Sequence, residues 1–413
     1  MPSATDLRRA LVAGLEARGC IRSPAVRRAF STVPRELFVP EVARRDGLER
    51  VYADVALVTR TTTQGAPISS SSQPAIMAEM LENLQLRPGL RVLEIGTGTG
   101  YNAALLSKLV GPSGTVTSVE LEADLAATAE STLRAGGYPV TVVVGDAHEV
   151  IDPEREIYDR IILTASSDHV PERWRDALVE GGLLELPLRL PGSAGGEQVV
   201  VTLRRDGECL RSVSIVPGGF MHLRNPGRDD GPPRSAPSVS VSEFVDGKAR
   251  SLAGVSGPGL AKLRPSARRR LAGVLLSTPL RRRLSTPKPA ANSLVAYVGM
   301  AEAPGGVTVR SFRPQPDGHY RAAAGVASPD GSGLALAIGR SGRRGCVIEV
   351  YGDGSGAARA ERSLDELVQS WRAAGRPSLA DCEITVTYGR TPSPTGAIVA
   401  EHDGCFTALR WPS

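Results

Sequence analysis

The fold is decided by residues 91–111, which read "RVLEIGTGTGYNAALLSKLVG". The segment "RVLEI" predicts a short buried strand, because apolar residues dominate it. Glycines at alternate positions then allow a sharp turn and a close approach of the backbone to a ligand, since glycine has no Cβ. The segment "YNAALLSKLVG" predicts a helix that ends at its glycine. A strand, a glycine-rich turn and a helix in this order indicate a nucleotide-binding α/β unit.

The segments that follow continue the alternation of strands and helices. Further strands are predicted at "GTVTSVEL" (114–121), "PVTVVVGDA" (139–147), "YDRIILTAS" (158–166) and "LLELPL" (183–188). Helices are predicted at residues 5–40 and 74–86, at "ADLAATAESTLRAGG" (123–137) and at "PERWRDALVEGG" (171–182). This order predicts an α/β fold with a doubly wound, mostly parallel, Rossmann-like sheet. Two β-runs around Asp206-Gly207, a hairpin turn signal, predict antiparallel strands at the edge of that sheet.

The composition changes after Arg224, and the change predicts further domains. Residues 225–292 contain a stretch rich in proline, glycine and charge, followed by the arginine triplets 268–270 and 281–283. They are predicted to form a linker and a basic helical segment. Residues 293–413 hold several β-like runs, among them "SLVAYVGM" (293–300), and one amphipathic helix at "SLDELVQSWRAAG" (363–375). We therefore expect a cofactor-binding domain at 1–224, the linker, and a C-terminal α+β domain at 293–413.

Composition and charge exclude several classes of protein. The chain has 413 residues, of which 41% are hydrophobic and 23% charged, as in a soluble globular protein with a substantial core. Aromatic residues make up 4%, which argues against a stacking surface for single-stranded nucleic acid. The cysteines lie far apart without a C-x-x-C motif, and no apolar stretch reaches membrane-spanning length. We expect a cytoplasmic protein with reduced thiols and without a nucleic-acid or membrane partner.

Three acidic positions surround the predicted cofactor site. Glu94 stands two residues before the first glycine of the turn, and Glu120 ends the next strand, where an acid can accept hydrogen bonds from both hydroxyls of a ribose. Asp146 ends the third strand, where it or the neighbouring backbone can read an adenine edge. The turn reads G-x-G-x-G rather than G-x-G-x-x-G, and an acidic loop suits a cationic methionine group better than a pyrophosphate. The pattern therefore favours S-adenosylmethionine over NAD.

Histidines near these strand ends do not indicate a metal. His148 and His169 flank the presumed site, but neither has a second ligand at the spacing of a metal motif. We interpret both as structural or solvated residues and expect no metal site.

Eight segments of the chain resemble protein-L-isoaspartate O-methyltransferases in sequence and in order. They include "AFSTVPRELFVP" (29–40), "SQPAIMAEMLENL" (72–84), the segment at 91–111 and "EQVVVTLRRDGE" (197–208), and they span about residues 5–224. The resemblance implies transfer of the methyl group of S-adenosylmethionine to a carboxylate of an isoaspartyl or aspartyl residue in a protein or peptide. The resulting ester would then cyclise to a succinimide.

The same resemblance implies roles for particular residues. Ser72 matches the family's active-site serine, and Asp54 resembles the acidic position before its substrate loop; with Ser71 they form the predicted catalytic set. The residues implied to contact the cofactor are Glu94, Gly96, Thr97, Gly98, Thr99, Gly100, Glu120, Leu121, Asp146 and Ala147. A carboxylate substrate is ionised near neutral pH, since its reference pKa is about 4, so no strong base is required. The serine run is interpreted as a cradle for that carboxylate, a role that the motif supports for Ser72 but not for Ser69 or Ser70.

Two features depart from the family, and both lie on the substrate side. The loop before Ser72 reads "TRTTTQGAPISSSSQP" where repair enzymes resemble "G-x-G-Q-T-I-S-Q-P", and a long extension follows residue 224. These features resemble homologues that tailor ribosomally made peptides such as lanthipeptides by converting an aspartate to an aspartimide or isoaspartate. The C-terminal half would then recognise a precursor peptide. The sequence also leaves open an inactive binding module with this fold and a nicotinamide-dependent oxidoreductase.

Overall fold

The structure is a computed structural model that describes residues 2–61, 67–190, 198–223, 238–245, 248–284, 288–301, 303–312, 323–339, 346–389 and 397–412. Its helices are α1 (Ala4–Ala17), α2 (Pro24–Thr32), α3 (Pro40–Asp46), α4 (Leu48–Val51), α5 (Pro74–Asn83), α6 (Tyr101–Val110), α7 (Ala123–Ala135), α8 (Ala147–Val150), α9 (Glu172–Asp176), α10 (Pro265–Val274), α11 (Lys288–Met300) and α12 (Gly354–Ala373). Short 3₁₀ helices lie at Arg35–Leu37, Pro258–Lys262 and Leu379–Asp381.

The strands form two large sheets and one hairpin. They are β1 (Leu57–Thr61), β2 (Pro67–Ser71), β3 (Arg91–Ile95), β4 (Thr115–Glu120), β5 (Thr141–Val144), β6 (Tyr158–Leu163), β7 (Leu178–Arg189), β8 (Gln198–Asp206), β9 (Cys209–Pro217), β10 (Ser238–Val245), β11 (Lys248–Ser256), β12 (Leu280–Leu284), β13 (Val307–Phe312), β14 (Ala323–Ala327), β15 (Gly333–Gly339), β16 (Cys346–Gly352), β17 (Glu383–Tyr388), β18 (Ala397–His402) and β19 (Cys405–Arg410). The hairpin pairs β1 with β2.

The first sheet contains the predicted doubly wound unit. Its strand order is β18-β19-β17-β9-β8-β7-β6-β3-β4-β5, and the five strands from β7 to β5 are parallel neighbours. Val92 packs into the core on one face of β3, whereas Leu93 and Ile95 pack into the core on the other. Successive side chains of a strand point to opposite faces, so a strand apolar at most positions is covered on both sides. The predicted α/β fold with a Rossmann-like parallel sheet is confirmed.

The second sheet is antiparallel and has the order β10-β11-β13-β14-β15-β16-β12. Helix α12 lies against one face and buries the four residues that its amphipathic pattern predicts, namely Leu364, Leu367, Val368 and Trp371. Helix α10 contributes Ala267 and Leu271 to a separate core that also contains residues of this sheet. Across the residues that the structure describes, no helix has both the length and the apolar character that a membrane span requires.

Strand pairing does not follow the domain boundaries expected at residues 224 and 292. Strands β10, β11 and β12 lie in the segment expected to be a linker with a basic helix, yet they belong to the second sheet. Strands β17, β18 and β19 join the first sheet, because β17 pairs with β9 through Thr385–Arg211 and Val386–Leu210. The β8–β9 hairpin is therefore not an edge. An unpaired β9 would expose backbone donors and acceptors, which the last strands of the chain cover.

The predicted secondary structure was wrong in three short segments whose apolar or charged residues follow neither a helical nor a strand periodicity. The segment "SLVAYVGM" belongs to helix α11 rather than to a strand. Its Leu294 and Val298 pack into one core while Ala296 and Met300 pack into another, so the helix is apolar on both sides and its sequence resembles a buried strand. The predicted helix at 171–182 ends at Asp176, and strand β7 begins two residues later. The second arginine triplet lies in strand β12.

Candidate functional site

The glycine-rich turn between β3 and α6 forms the floor of the site. Gly96 has a φ of +96° and Gly98 a φ of +52°, conformations that residues with a Cβ rarely adopt. A Cβ on Gly96 would lie 2.5 Å from Thr164 Oγ1, which donates a hydrogen bond to the carbonyl oxygen of Gly96. The turn therefore needs glycine both for its conformation and for its contact with the residue that follows β6.

An open cavity of about 720 Å³ lies at the carboxyl ends of β3, β4, β5 and β6. Adjacent parallel strands end at this edge, where open α/β sheets bind ligands. Of the residues expected to contact the cofactor, those that line this cavity are Gly96, Gly98, Glu120, Leu121, Asp146 and Ala147. The β1–β2 hairpin adds Ser69 and Ser70, and the segment after β9 adds Met221 and His222. We name this space the cofactor cavity.

Glu120 lines the cofactor cavity with a carboxylate that is almost fully buried. Its Oε2 accepts a hydrogen bond from the Gly98 N–H at 2.8 Å, and its Oε1 accepts one from the Glu122 N–H at 3.2 Å. A carboxylate has roughly four acceptor positions, so Glu120 can also accept hydrogen bonds from two hydroxyls of a ribose. Because a buried charge needs such partners, this residue fits the ribose of S-adenosylmethionine.

Asp146 and Ala147 also line the cofactor cavity, at the start of α8. Asp146 Oδ1 accepts a hydrogen bond from the His148 N–H at 2.8 Å and lies 2.9 Å from Nδ1 of the same histidine. The carbonyl oxygen of Ala147 accepts a hydrogen bond from Trp174 Nε1 at 3.1 Å. These hydrogen bonds hold both residues in place, so the backbone of this loop has a fixed position beside the cavity.

Glu94 does not line the cofactor cavity, in contrast to the role implied by the sequence. Its side chain is fully buried behind the turn and accepts hydrogen bonds from Asn102 Nδ2 at 2.8 Å and from Ser118 Oγ. Burial raises the pKa of Glu94 to about 7, and these two hydrogen bonds oppose that rise. The carboxylate therefore ties β3 to β4 and α6.

The other turn residues divide between a second cavity and the protein interior. Thr97 and Thr99 line a cavity of about 420 Å³ that lies beside the cofactor cavity. Gly100 lines neither space, because it faces α7, where an added Cβ would lie 3.3 Å from Leu133. Of the ten residues implied to contact the cofactor, Glu94 and Gly100 are thus the two that the structure places outside both cavities.

The serine run lies between the cofactor cavity and a neighbouring open cleft. Ser71 and Ser72 line the second cavity, and Ser72 also lines a third space of about 1070 Å³, which we name the cleft. Ser70 and Thr164 line all three spaces. The family motif supports no role for Ser70, and sequence reasoning missed Thr164. A signal for Thr164 was present, because it follows β6 at the carboxyl edge of the parallel sheet.

A buried arginine that sequence reasoning missed holds the serine run. Arg35 is fully buried, and its two terminal nitrogens donate hydrogen bonds to the carbonyl oxygens of Val51 and Ser72, each at 2.9 Å. The same guanidinium lies 3.3 Å from Ser71 Oγ and 5.7 Å from the centre of the Tyr101 ring. Because the planar guanidinium fixes several acceptors at once, it sets where β2 ends and where Ser72 lies.

Asp54 supports the same segment from outside the cavities. Its Oδ1 accepts a hydrogen bond from the Ala75 N–H at 2.9 Å, and its Oδ2 accepts from Gln73 Nε2 at 3.1 Å and from Arg18 at 2.9 Å. These contacts satisfy a donor in the first turn of α5. The carboxylate thus accepts hydrogen bonds from donors of this chain, and it lines none of the three spaces. The contacts of Asp54 are therefore those of a residue that positions the serine run, not of a catalytic residue.

The fold and this site define a Rossmann-like, S-adenosylmethionine-dependent methyltransferase. Residues 6–217, just over half of the chain, match the family described as Protein-L-isoaspartate(D-aspartate) O-methyltransferase. The chain belongs to this family. It is an S-adenosylmethionine-dependent carboxyl O-methyltransferase, which excludes a nicotinamide-dependent oxidoreductase.

Known proteins named protein-L-isoaspartate O-methyltransferase resemble this chain over different lengths. The protein-L-isoaspartate O-methyltransferase of Methanothermobacter thermautotrophicus is 40% identical over 201 residues, which cover 48% of this chain and 86% of that protein. The one from Thermotoga maritima is 41% identical over 169 residues, or 41% of this chain and 51% of that protein. A solved structure of a protein-L-isoaspartate O-methyltransferase aligns with 98% of this chain and all of its own, at 23% identity and a TM-score of 0.51. The fold of the C-terminal half therefore also occurs in that structure.

Proposed function

We propose that the protein transfers a methyl group to a carboxylate of isoaspartyl residues in proteins or peptides. The observation that carries this proposal is the meeting of the cofactor cavity and the cleft at Ser70 and Thr164. A methyl donor bound on one side and an acidic side chain bound on the other would meet at these hydroxyl groups. The relatives that match the first half of the chain are named for this substrate.

The lining of the cleft fits a substrate that needs no base. Its polar residues are Ser70, Ser72, Gln73, Thr164 and Gln198, and its apolar residues include Ile76 and Phe220. Among the described residues that line the cleft, none has an ionisable side chain. An amine or alcohol nucleophile would have to lose a proton to a base, whereas a carboxylate is already ionised near neutral pH. A neutral, hydroxyl-lined cleft therefore favours a carboxylate over those nucleophiles.

Catalysis then depends on position and charge. Bound S-adenosylmethionine would supply an electrophilic methyl group on a positively charged sulfur. We propose that the Ser70 and Ser72 hydroxyls donate to one substrate oxygen and leave the other free to attack, with reacting atoms about 3–3.5 Å apart. Helix α5 begins at Pro74 beside these serines, and the positive end of its dipole favours an anion there. Glu120 and the turn at Gly96 and Gly98 would hold the cofactor.

The segment after β9 is anchored beside both spaces. Gln198 Oε1 accepts a hydrogen bond from the Phe220 N–H at 2.7 Å, and Gln198 Nε2 donates to Ser166 Oγ at 3.0 Å. The Ser166 N–H donates to the Met221 carbonyl oxygen at 2.7 Å. Met221 lines the cofactor cavity and the cleft, so this anchored segment forms part of the wall of both spaces.

The test is a methylation assay with two peptides that differ in one linkage. The purified full chain, labelled S-adenosylmethionine and either an isoaspartyl peptide or its aspartyl counterpart are incubated together, and base-labile methyl ester is counted. We expect ester on the isoaspartyl peptide, and Ser72→Ala should reduce its rate about tenfold, the cost of one hydrogen bond to the reacting group. Ser131→Ala, on the exposed surface of α7, is the matched control and should change nothing. Absence of base-labile ester on either peptide would overturn the proposal.

The same assay tests the alternative that the protein is a dedicated peptide-tailoring enzyme. Activity on a constrained aspartyl peptide, with none on unrelated isoaspartyl peptides, would favour such a dedicated substrate. No contact among the described residues favours it. Arg281 and Arg282, which could attract an acidic precursor peptide, already pair with this chain's own Glu349 and Glu361 at 3.0 Å and 2.9 Å.

A further inference from the structure

A cluster of three metal-ligating side chains lies where the last strands of the chain meet the methyltransferase fold. His169 belongs to the loop between β6 and α9 and is almost fully buried. His402 ends β18, and Asp403 follows it at the tip of the β18–β19 hairpin. One ligand atom from each residue lies within 4.8 Å of the other two. The cluster is outside the cofactor cavity and the cleft, and the proposed methylation does not use it.

Both sides of the cluster are held in place by contacts of their own. The Ser167 hydroxyl donates to the carbonyl oxygen of His169 at 2.7 Å, which fixes the backbone of the loop. The Tyr388 hydroxyl donates to the carbonyl oxygen of Val170 at 3.0 Å, and the Gly389 N–H donates to the carbonyl oxygen of Gly404 at 3.0 Å. The hairpin tip is therefore carried to His169 by the strand pairing of the fold and not by a loose tail.

We propose that His169, His402 and Asp403 bind a divalent late transition-metal ion, with Zn²⁺ as the representative. Two imidazoles and one carboxylate are the donors that such ions accept, and water can fill the open positions. Ligand atoms around a tetrahedral Zn²⁺ lie about 3.3 Å apart, given metal–ligand distances of about 2.0–2.1 Å. The present spread of up to 4.8 Å must contract, and the side chains of His402 and Asp403 are about half exposed and can move.

The present arrangement of the imidazole rings indicates which ligand moves. The rings of His169 and His402 are stacked with their centres 4.0 Å apart and their planes 9° from parallel. Nitrogen lone pairs lie in the ring plane, so two parallel rings cannot both point at one ion. His169 is buried and stays, whereas His402 must turn out of the stack. Metal binding therefore replaces a ring stack by coordination bonds at the same junction.

An ion at this position would connect the C-terminal strands to the loop behind the cofactor cavity. His169 also lies against His148, with ring centres 5.8 Å apart, and His148 contacts the Asp146 carboxylate. Asp146 lines the cofactor cavity. The metal would thus tie the hairpin to a row of side chains that ends at the cofactor, and it would stabilise the folded chain because the unfolded chain lacks the assembled site.

The test is metal binding by the tag-free full chain after chelator treatment and dialysis. Calorimetric titration with Zn²⁺ at pH 7.5 should show one ion bound per chain, and Co²⁺ should give a visible absorption band. His402→Ala and Asp403→Asn should each weaken binding by about tenfold or more. Both residues lie at the surface, so these variants should fold, which circular dichroism checks. His222→Ala is the matched control: His222 lies 4.0 Å from Asp168 but belongs to a pair rather than a cluster, and its loss should leave Zn²⁺ affinity unchanged.

Two further readouts distinguish a site from general adsorption. One equivalent of Zn²⁺ should raise the melting temperature of the wild type and leave that of His402→Ala unchanged. Lowering the pH to 5.5 should release the ion, because protonated imidazole is not a ligand. Substoichiometric binding by the wild type, or equal binding by the His402→Ala and His222→Ala variants, would overturn the proposal.

Discussion

Replacement of Arg35 by lysine tests whether the serine run is held from the interior. The guanidinium donates to the carbonyl oxygens of Val51 and Ser72 through two different nitrogens, each at 2.9 Å. A lysine keeps the charge but is shorter and cannot place donors at both oxygens. A hydrogen bond from a charged group is worth about 1.5–3 kcal/mol, so Arg35→Lys should lower the free energy of unfolding by about that amount. Arg35→Met removes both donors and leaves two buried carbonyl oxygens without them, at a cost of about 1–3 kcal/mol each.

The functional effect of Arg35→Lys should fall on turnover and not on cofactor binding. Ser71 and Ser72 move when their anchor is lost, whereas Glu120 lies on the other side of the turn and keeps its contacts. We expect kcat at saturating S-adenosylmethionine to fall about tenfold, which corresponds to about 1.4 kcal/mol of lost transition-state stabilisation. The dissociation constant of the cofactor should stay within about twofold of the wild-type value, since no cofactor contact is lost.

The assays are urea unfolding followed by tryptophan fluorescence, calorimetric titration of the cofactor, and methyl transfer to an isoaspartyl peptide. Arg27→Lys, which alters an exposed arginine on α2, is the matched control and should leave all three results unchanged. Wild-type stability and turnover in Arg35→Lys would refute the argument that the guanidinium positions Ser72. An equal loss of cofactor affinity and of turnover would refute the argument that Arg35 acts on the serine run and not on cofactor binding.

The other predictions concern the turn, the serine run and the sheet. Glu120→Ala should weaken S-adenosylmethionine binding by about 1–3 kcal/mol in calorimetry, because the ribose hydroxyls lose their acceptor. Burial raises the pKa of Glu94 from 4.5 to about 7, so the wild type loses up to about 3 kcal/mol of stability as the pH rises through that range. Glu94→Gln cannot ionise, so the difference between its melting temperature and that of the wild type should shift in favour of the variant as the pH rises from 5 to 8. Ser70→Ala should lower turnover about as much as Ser72→Ala, whereas Ser131→Ala on the exposed surface of α7 should not. A chain that ends at residue 224 should melt at a lower temperature and associate through the uncovered β9 edge, which light scattering will detect.

The parallel half of the first sheet could be predicted because its signals are local. Apolar strands, glycines at fixed offsets and helices of ordinary length occur within a few residues of one another in residues 91–166. Each of these signals reflects a short-range requirement, such as the positive φ of Gly96. The positions of Glu120 and Asp146 followed from the same reasoning, because the carboxyl ends of parallel strands meet at one edge.

The rest of the site depends on contacts between distant parts of the chain. Arg35 lies in the segment "VPRELFVP", and an arginine is usually at the surface. Only the packing of residues 51–55 and 71–72 around it makes it an interior anchor. The proposed metal site joins His169 to His402 and Asp403, which no spacing rule connects. For Glu94, the motif indicates that an acid belongs near the turn but not on which side of the turn its carboxylate lies.

The pairing of β17 with β9 changes what the C-terminal half is needed for. The sequence suggested a separate module whose purpose is recognition, yet Ile384, Val386 and Leu409 are fully buried in the same core as Leu93 and Ile95 of the cofactor strand. Removing them would expose apolar area worth about 1.5–3 kcal/mol for each side chain, in addition to the open edge of β9. Loss of activity after truncation would therefore not demonstrate substrate recognition, because it would follow from damage to the methyltransferase core. A recognition role can be assigned only by substitutions on the surface of the second sheet that leave the pairing of β9 and β17 intact.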